Sequence, residues 1–478
     1  MHKLEITLKQ HTPIIHFQHD QDGATLRASE VKPKLDRFIY NKWLQEENGN
    51  KEKVFKKHGH LTVGYNEAKF EKEIKAFDKL TQAKKTSFLE SFKWALNYKM
   101  TFKPNNNKTT TIGKYHENAP MYFGNMGDEN EKKHFIEAEF VNGKILTQCQ
   151  QLETFIKNNI SEFFFIHNFG TRQSKGYGSF TVEKINNKAD NFNFKADYCF
   201  RIKTNKWQEA LFKTGLFYQS LRSGINIGSP TYSSVEGGNR IALIHQEMNT
   251  KFYMKPIVFL YAKDLGQQWD KKTIKQTYFN KLYYYRKASG RELRDYGYGA
   301  RFGLIETSGL PNQQENIQNS DVLSFISQKQ TGQNYYFDYR DLFGLSSDEK
   351  WYSYGVNIKK ENKDVDRYKS PITFKPVKIN GEFNIFILLS DIDDDYQGKV
   401  FTIKSVEHRG DRSTLQLQIP TNKSFLYDLF DFIANKIDIN HCVDKRYRNY
   451  VKDNINYYDV LSDIYSQLKS KSQCNTQP

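Results

Sequence analysis

The sequence predicts an α+β protein made of two related halves. Three observations carry that expectation. Strand-like stretches with apolar residues at every second position alternate with helical stretches whose apolar residues recur at steps of three and four. A strand, a helix, an Asn-Gly pair between strand residues and a second helix occur in the same order twice. Aromatic residues are abundant, with 30 Tyr, 36 Phe and 5 Trp among 478 residues, and a chain of this length needs more than one core.

The elements follow in order. Leu4, Ile6 and Leu8 alternate and form a half-buried strand. Ile14-Ile15-His16-Phe17 follows Pro13, and the loop His19 to Thr25 contains Gly23. A helix comes next, with Ser29 as its N-cap and Pro33 in its first turn. Val31, Leu35, Ile39 and Trp43 make its apolar face. Residues 46–133 are polar and read as an insertion with one or two strands and some helix, including a helix near 87–98 and a loop at 104–111. Asn142-Gly143, between Phe140-Val141 and Lys144-Ile145, predicts a type I′ hairpin turn. Leu152, Phe155, Ile156 and Ile160 mark a second helix, and a strand leaves at Ser179. This order is the β-α-β-β-α-β pattern of a ferredoxin-like (RRM-like) unit.

The second half repeats it with more decoration. Residues 197–203 read as a strand. Residues 207–221 read as a helix, with Trp207, Leu211, Thr214, Tyr218 and Leu221 on one face. Arg222 and Gly224 close that helix as a basic last turn and a C-cap. A long loop-rich insertion covers about 225–368. A hairpin over 371–389 turns at Asn380-Gly381, and a helix over 422–437 carries Phe425, Leu426, Leu429, Phe430, Ile433 and Ile437. A last helix spans 454–469, before a frayed tail. The repetition indicates internal duplication, with units at 1–190 and 191–478.

Only 38% of the residues are apolar. Disordered chains share that feature but lack aromatics, so the chain is folded. It carries 71 basic and 55 acidic residues, a formal charge of +16. Such an excess attracts polyanions, nucleic acid above all, although a general preference for lysine raises the charge as well. Cys149, Cys199, Cys442 and Cys474 form no C-x-x-C pair, so no zinc ribbon or redox pair is indicated. Scattered cysteines, no apolar leader and no long apolar run place the protein in the cytoplasm by expectation. No cofactor or metal is expected.

The loop 170–180 is the most informative segment. Gly170, Gly176 and Gly178 stand among Arg172, Gln173, Ser174, Lys175 and Tyr177. Glycines let backbone N–H groups approach an anion, and Arg and Lys add phosphate ligands. The loop lacks a Walker ending, and its glycine spacing does not fit a dinucleotide fingerprint. A surface loop that needs glycine for its turns is the competing explanation. Arg27, Lys32, Lys34 and Arg37 either line a path beside the loop or form a solvated helix face.

Gly170-Thr171-Arg172-Gln173-Ser174-Lys175-Gly176-Tyr177-Gly178-Ser179-Phe180 resembles the glycine-rich loop of RAMP proteins, the repeat-associated family of CRISPR systems. Residues 24–38 resemble the family's opening motif, and Arg367 to Pro376, with Lys369 and Lys375, resemble a basic strand of its second unit. The architecture is similar to the first-numbered Cmr subunit. The resemblance implies a non-catalytic subunit of a type III-B complex that binds CRISPR RNA, target RNA or both, and other Cmr-type subunits. No glycine-rich loop follows helix 422–437, a departure from the family pattern.

Two rival readings remain at this stage. A metal-independent RAMP endonuclease would use a histidine from the group His11, His16 and His19. A protein-only scaffold would bind no RNA. The acidic run Asp391, Asp393, Asp394 and Asp395 lacks the EF-hand Gly and Glu and reads as a solvated loop. His58-Gly59-His60 reads as a loop. The aromatic tracts at 283–286 and 334–337 suit packing as well as base stacking.

Overall fold

The computed structural model describes residues 1–15, 26–106, 108–113, 132–237, 241–266, 336–337, 339–345, 350–353, 356–362, 364–365, 367–405 and 414–469. His16, His19 and the tract 283–286 lie outside the described residues. The described chain is a mixed α+β protein in two compact units, the first built from Met1–Gly215 and Thr373–Leu388, the second from Leu216–Ile372 and Leu389–Ser472. Among the described residues no helix is long and apolar enough to cross a membrane.

The first unit opens with β1 (His2–Gln10) and α1 (Ala28–Glu46). Three short helices follow, α2 (Lys51–His58), α3 (Glu67–Asp78) and α4 (Gln82–Ser91). Then come β2 (Tyr98–Asn105), β3 (Lys108–Gly113), β4 (Lys132–Glu137), β5 (Phe140–Thr147), α5 (Gln150–Ile166), β6 (Phe180–Ile185), β7 (Lys188–Ala189) and β8 (Tyr198–Ile202). Helix α6 (Trp207–Arg222) continues into the second unit.

Five strands form one antiparallel sheet in the order β2-β5-β1-β6-β7. Leu4, Ile6 and Leu8 of β1 point into the core. They meet the stripe Val31, Leu35, Ile39 and Trp43 of α1 and the stripe Leu152, Ile156 and Ile160 of α5. Period two in the strand and period near 3.6 in the helices place these residues on one side each.

Several expectations change here. Helix α1 starts at Ala28, and Arg27, in extended conformation, is its N-cap; Ser29 lies inside the first turn. Pro33 therefore sits beyond the first turn, where its ring removes one backbone bond on the exposed side. The helix expected near 87–98 is α4, which ends at Ser91. It belongs to a small aromatic cluster of α2–α4 around Phe55, Phe70 and Phe77, with Phe88 and Phe92 packed on it. His58-Gly59-His60 is the end of α2 running into a 3-10 turn, not an open loop.

The most instructive change concerns Asn142-Gly143. No hairpin turns there. Both residues lie inside β5, paired on one side with Thr7 and Ile6 of β1 and on the other with Lys103 and Phe102 of β2. A Cβ at Gly143 would stand 2.7 Å from Ile6 and 2.9 Å from Phe102 side-chain carbons. The glycine is there for space and not for a turn.

Asn380-Gly381, by contrast, is the hairpin turn the sequence predicts. It joins β14 (Ile372–Ile379) to β15 (Glu382–Leu389), with φ of 50° and 80°. These strands form a three-stranded sheet with β8, in the order β14-β15-β8.

The second unit contains more regular structure than a loop-rich insertion. A long ribbon pairs β9 (Ile225–Gly237) with β10 (Ile241–Met254), followed by α7 (Ile257–Asp264). A sheet runs in the order β11-β17-β16-β13-β12, from Tyr336–Phe337, Thr414–Gln418, Val400–Ser405, Val356–Glu361 and Lys350–Ser353. Helix α8 (Phe425–Lys436) buries Phe425, Leu426, Leu429, Phe430 and Ile433, and α9 (Ile439–Cys442) and α10 (Tyr457–Lys469) follow. Gly224, at φ 70°, closes α6, and Arg222 donates to the Gly344 carbonyl at 2.7 Å.

Candidate nucleic-acid interface

The glycine-rich loop joins α5 to β6. A β-bridge between Asn168 and Ser179 and the bond Phe169 N–H to Gly178 O at 3.0 Å close its base. At Gly178, with φ 67°, a Cβ would stand 1.8 Å from the Phe169 carbonyl oxygen, so only glycine fits. Gln173–Lys175 form a 3-10 turn, entered through Arg172 in the left-handed region at φ 56°.

The glycine N–H groups do not point outward to an anion, as the sequence reading expects. Gly170 N–H donates to Glu30 Oε1 at 2.6 Å, Gly176 N–H to Gln173 O at 3.2 Å and Gly178 N–H to Pro13 O at 2.8 Å. Thr171 N–H donates to Ile15 O at 2.7 Å, and Thr12 Oγ1 donates to Gly176 O at 2.6 Å. Asn168 donates from Nδ2 to Gln173 O and to Phe374 O at 2.7 and 2.8 Å. The loop is thus a preorganised platform. The side chain it presents to solvent is Arg172, which is exposed; Ser174 is half-buried, and the Lys175 ammonium is buried.

The flanking cations divide into two groups. Lys34 of α1 donates to Gln173 Oε1 at 2.9 Å and to Asn168 O at 3.2 Å, and its ammonium stands 4.7 Å from the Phe169 ring centre. It braces the loop. Lys32 donates to Asp36 and to the Leu96 carbonyl, both at 2.8 Å, and stands 4.1 Å from the Tyr98 ring centre. It ties α1 to the strand side. Arg37 is exposed and Arg27 half-buried.

Two expected RNA ligands are core residues. Tyr177 is fully buried against Phe135 and Trp207. Lys375 of β14 is fully buried, and its ammonium donates to the carbonyls of Phe164, His167 and Phe180 at 2.7, 2.9 and 2.8 Å. All three contacts of its terminal nitrogen stay inside the unit, and burial pushes its pKa well below the usual lysine value. Lys369 is exposed in the second unit. Sequence reasoning missed Glu30, Thr12 and Asn168, which set the loop, because nothing local marks a residue that acts on a distant backbone.

His11 is also internal. Lys378 N–H donates to its Nδ1 at 3.0 Å, which puts the imidazole proton on Nε2, 2.7 Å from Thr181 Oγ1. Burial, with Lys375 nearby, pushes its pKa well below the ordinary value. Among the described residues no group of three His, Cys, Asp or Glu side chains converges on a metal position. The acidic run is an exposed loop in which Asp395 N–H caps on Asp393 and Lys423 pairs with Asp394.

The Cmr1 N-terminal domain model matches residues 1–225, and the Cmr1 C-terminal domain model matches residues 253–457. No curated protein matches the chain. Among solved structures, a chain from "Cryo-EM structure of the Type III-B Cmr-beta bound to cognate target RNA" is similar at 14% identity and a TM-score of 0.21, over 38% of this chain and 59% of that one. The present chain therefore spans 59% of the length of that matched chain. With its two domain models covering nearly the whole sequence, the chain belongs to the Cmr1 family.

Proposed function

We propose that this chain is a non-catalytic RNA-binding subunit of a type III-B (Cmr) CRISPR interference ribonucleoprotein, acting in antiviral defence in the cytoplasm. It grips the sugar-phosphate backbone of CRISPR RNA, of target RNA or of both, and assembles with other Cmr-type subunits. The observation that carries this reading is Arg172, held exposed at the entry of a loop whose glycine N–H groups are anchored to the protein. An arginine on an anchored backbone brings less backbone freedom to lose on binding a phosphate, and its guanidinium offers a two-pronged contact. Backbone contacts carry no sequence information, which suits a guide whose sequence varies.

Family membership supports the setting. The strand order β2-β5-β1-β6 around α1 and α5 supports a ferredoxin-like RAMP unit in the first half. The buried, doubly bonded His11 supports the non-catalytic reading over the nuclease. The test is binding of a labelled single-stranded RNA to the full chain. Arg172→Ala/Lys175→Ala is expected to weaken binding and to lower the log–log salt slope by about 0.7, for the one exposed phosphate ligand it removes. The RNA is expected to stay intact. Unchanged binding by the double variant removes the loop from the interface, and cleavage of the RNA moves the chain to the nuclease class.

A further inference from the structure

The five-stranded sheet has a second face, turned away from α1 and α5. Alternation places Lys3, Glu5, Thr7 and Lys9 of β1 on it, opposite to the core residues Leu4, Ile6 and Leu8. The register sets their neighbours. Lys3 pairs with Leu146, and Leu146 with Lys99; Glu5 pairs with Lys144, and Lys144 with Thr101. Thr7 lies between Asn142 and Lys184, and Asn142 lies beside Lys103. Directly paired residues share a face. Lys3, Lys99, Lys103, Lys144 and Lys184 are exposed, and Lys9 is half-buried.

The acid among these residues is Glu5, and it is bonded to Lys3. Six lysines to one glutamate is a strong local bias in a chain with 71 basic and 55 acidic residues. Edge strands often carry lysine to prevent stray pairing, and β2 is such an edge. Lys3 and Lys144, however, stand on the interior strands β1 and β5, where that purpose does not apply. No two of these lysines pair directly: Lys144 lies opposite Glu5 and Thr101, and Lys3 and Lys99 lie opposite Leu146, so the face gathers its positive charge on the diagonals of the sheet and presents it to solvent.

The chemistry of the face selects the partner. A protein-binding patch has an apolar centre with aromatic anchors and is poor in lysine. Here the residues between the lysines are Thr7, Thr101 and Asn142, and the apolar side chains Phe140 and Leu146 are half-buried. Among the described residues of this face no row of exposed aromatics offers bases a stacking platform of the kind single-strand binders use. The nearest lysine pairs are the diagonals of Lys144 with Lys3, Lys99 and Lys103 on neighbouring strands, about 7–8 Å apart on a rigid pleat, a spacing that suits a chain of phosphates.

We propose that this face is a second RNA-contact surface, holding the phosphates of single-stranded RNA without reading its bases. It rests on the sheet lysines and is independent of the loop. The test uses the full chain with Lys99→Gln/Lys103→Gln/Lys144→Gln, all at exposed positions, and a labelled single-stranded RNA at about 50 and 200 mM salt. Affinity at the lower salt is expected to fall about tenfold or more, and the slope to fall by about 2, with the thermal midpoint unchanged. Should the triple variant misfold, Lys3→Gln/Lys184→Gln asks the same question on other strands. Unchanged affinity and slope in a folded variant overturn the proposal while leaving the loop reading intact. Loss of binding in the sheet variant with none in Arg172→Ala/Lys175→Ala supports the sheet and removes the loop. Polyglutamate of matched charge that displaces the RNA equally well marks a dock for acidic protein and overturns the assignment to RNA.

Discussion

The rings of Trp43 and His58 lie face to face, 4.1 Å between centres and 2° from parallel. His58 is 4% exposed at the end of α2, and burial lowers its pKa to about 4. The stack joins the helical insertion to the main core, and its burial favours the neutral imidazole.

A pH dependence follows with a definite sign. The folded pKa lies below the unfolded value near 6.5, so this stability is complete above pH 6.5 and disappears as pH falls towards 4. The contribution is about 3 kcal/mol at most. His58→Phe keeps the stack and removes the titration. Unfolding free energies from urea titrations at pH 7.5 and 4.5 are expected to differ less in the variant by about that amount. His11, whose pKa is also depressed by burial, keeps part of the acid sensitivity in both proteins.

Lys375 is expected to matter for folding and not directly for RNA. Lys375→Met keeps the aliphatic stem but leaves the carbonyls of Phe164, His167 and Phe180 without their donor. Each unsatisfied buried group costs about 1–3 kcal/mol, so a loss of about 3–5 kcal/mol in urea unfolding is expected. Lys369→Ala, at an exposed position, is expected to stay within about 0.5 kcal/mol of the parent.

Gly178 and Gly381 both adopt positive φ, yet their alanine variants are expected to behave differently. At Gly381 nothing lies within 4 Å of the added Cβ, and the cost is the left-handed conformation alone, about 1–2 kcal/mol. At Gly178 the Cβ meets main-chain oxygen, which cannot rotate away. Gly178→Ala is expected to cost more than Gly381→Ala in unfolding measurements and to weaken RNA binding beyond its effect on stability, because it displaces the platform that carries Arg172.

These glycines also show how far the sequence can be read. Amphipathic periods located α1, α5, α6 and α8 because core contact dictates them residue by residue. Asn380-Gly381 was legible as a turn, whereas the same dipeptide at 142–143 fills a strand, because the crowding from Ile6 and Phe102 arises only once three strands pair. Lys375 looks basic and exposed in sequence, and only the fold brings three carbonyls to it. The lysine face was hidden for a similar reason: its members are scattered between residues 3 and 184 and gathered by strand register.

The second unit carries a buried ion pair whose energetics can be separated by a mutant cycle. Lys360 of β13 donates to Asp341 in a 3-10 turn, and Asp341 is fully buried. Arg340 Nε stands 3.5 Å from the other carboxylate oxygen, and the Lys360 ammonium stands 4.6 Å from the Phe401 ring centre. Withdrawing one partner strands a charge in a medium that solvates it poorly, at a cost of about 3–5 kcal/mol. Replacing both avoids that, because desolvation of two ions disappears with their attraction. Lys360→Met and Asp341→Leu are each expected to lose about 3 kcal/mol or more in urea unfolding, and the double variant to lose at least about 1 kcal/mol less than their sum. Arg340 limits the recovery, since removing the aspartate also withdraws its partner. Strict additivity of the two substitutions would mean that Lys360 and Asp341 are held by their separate surroundings and not by each other.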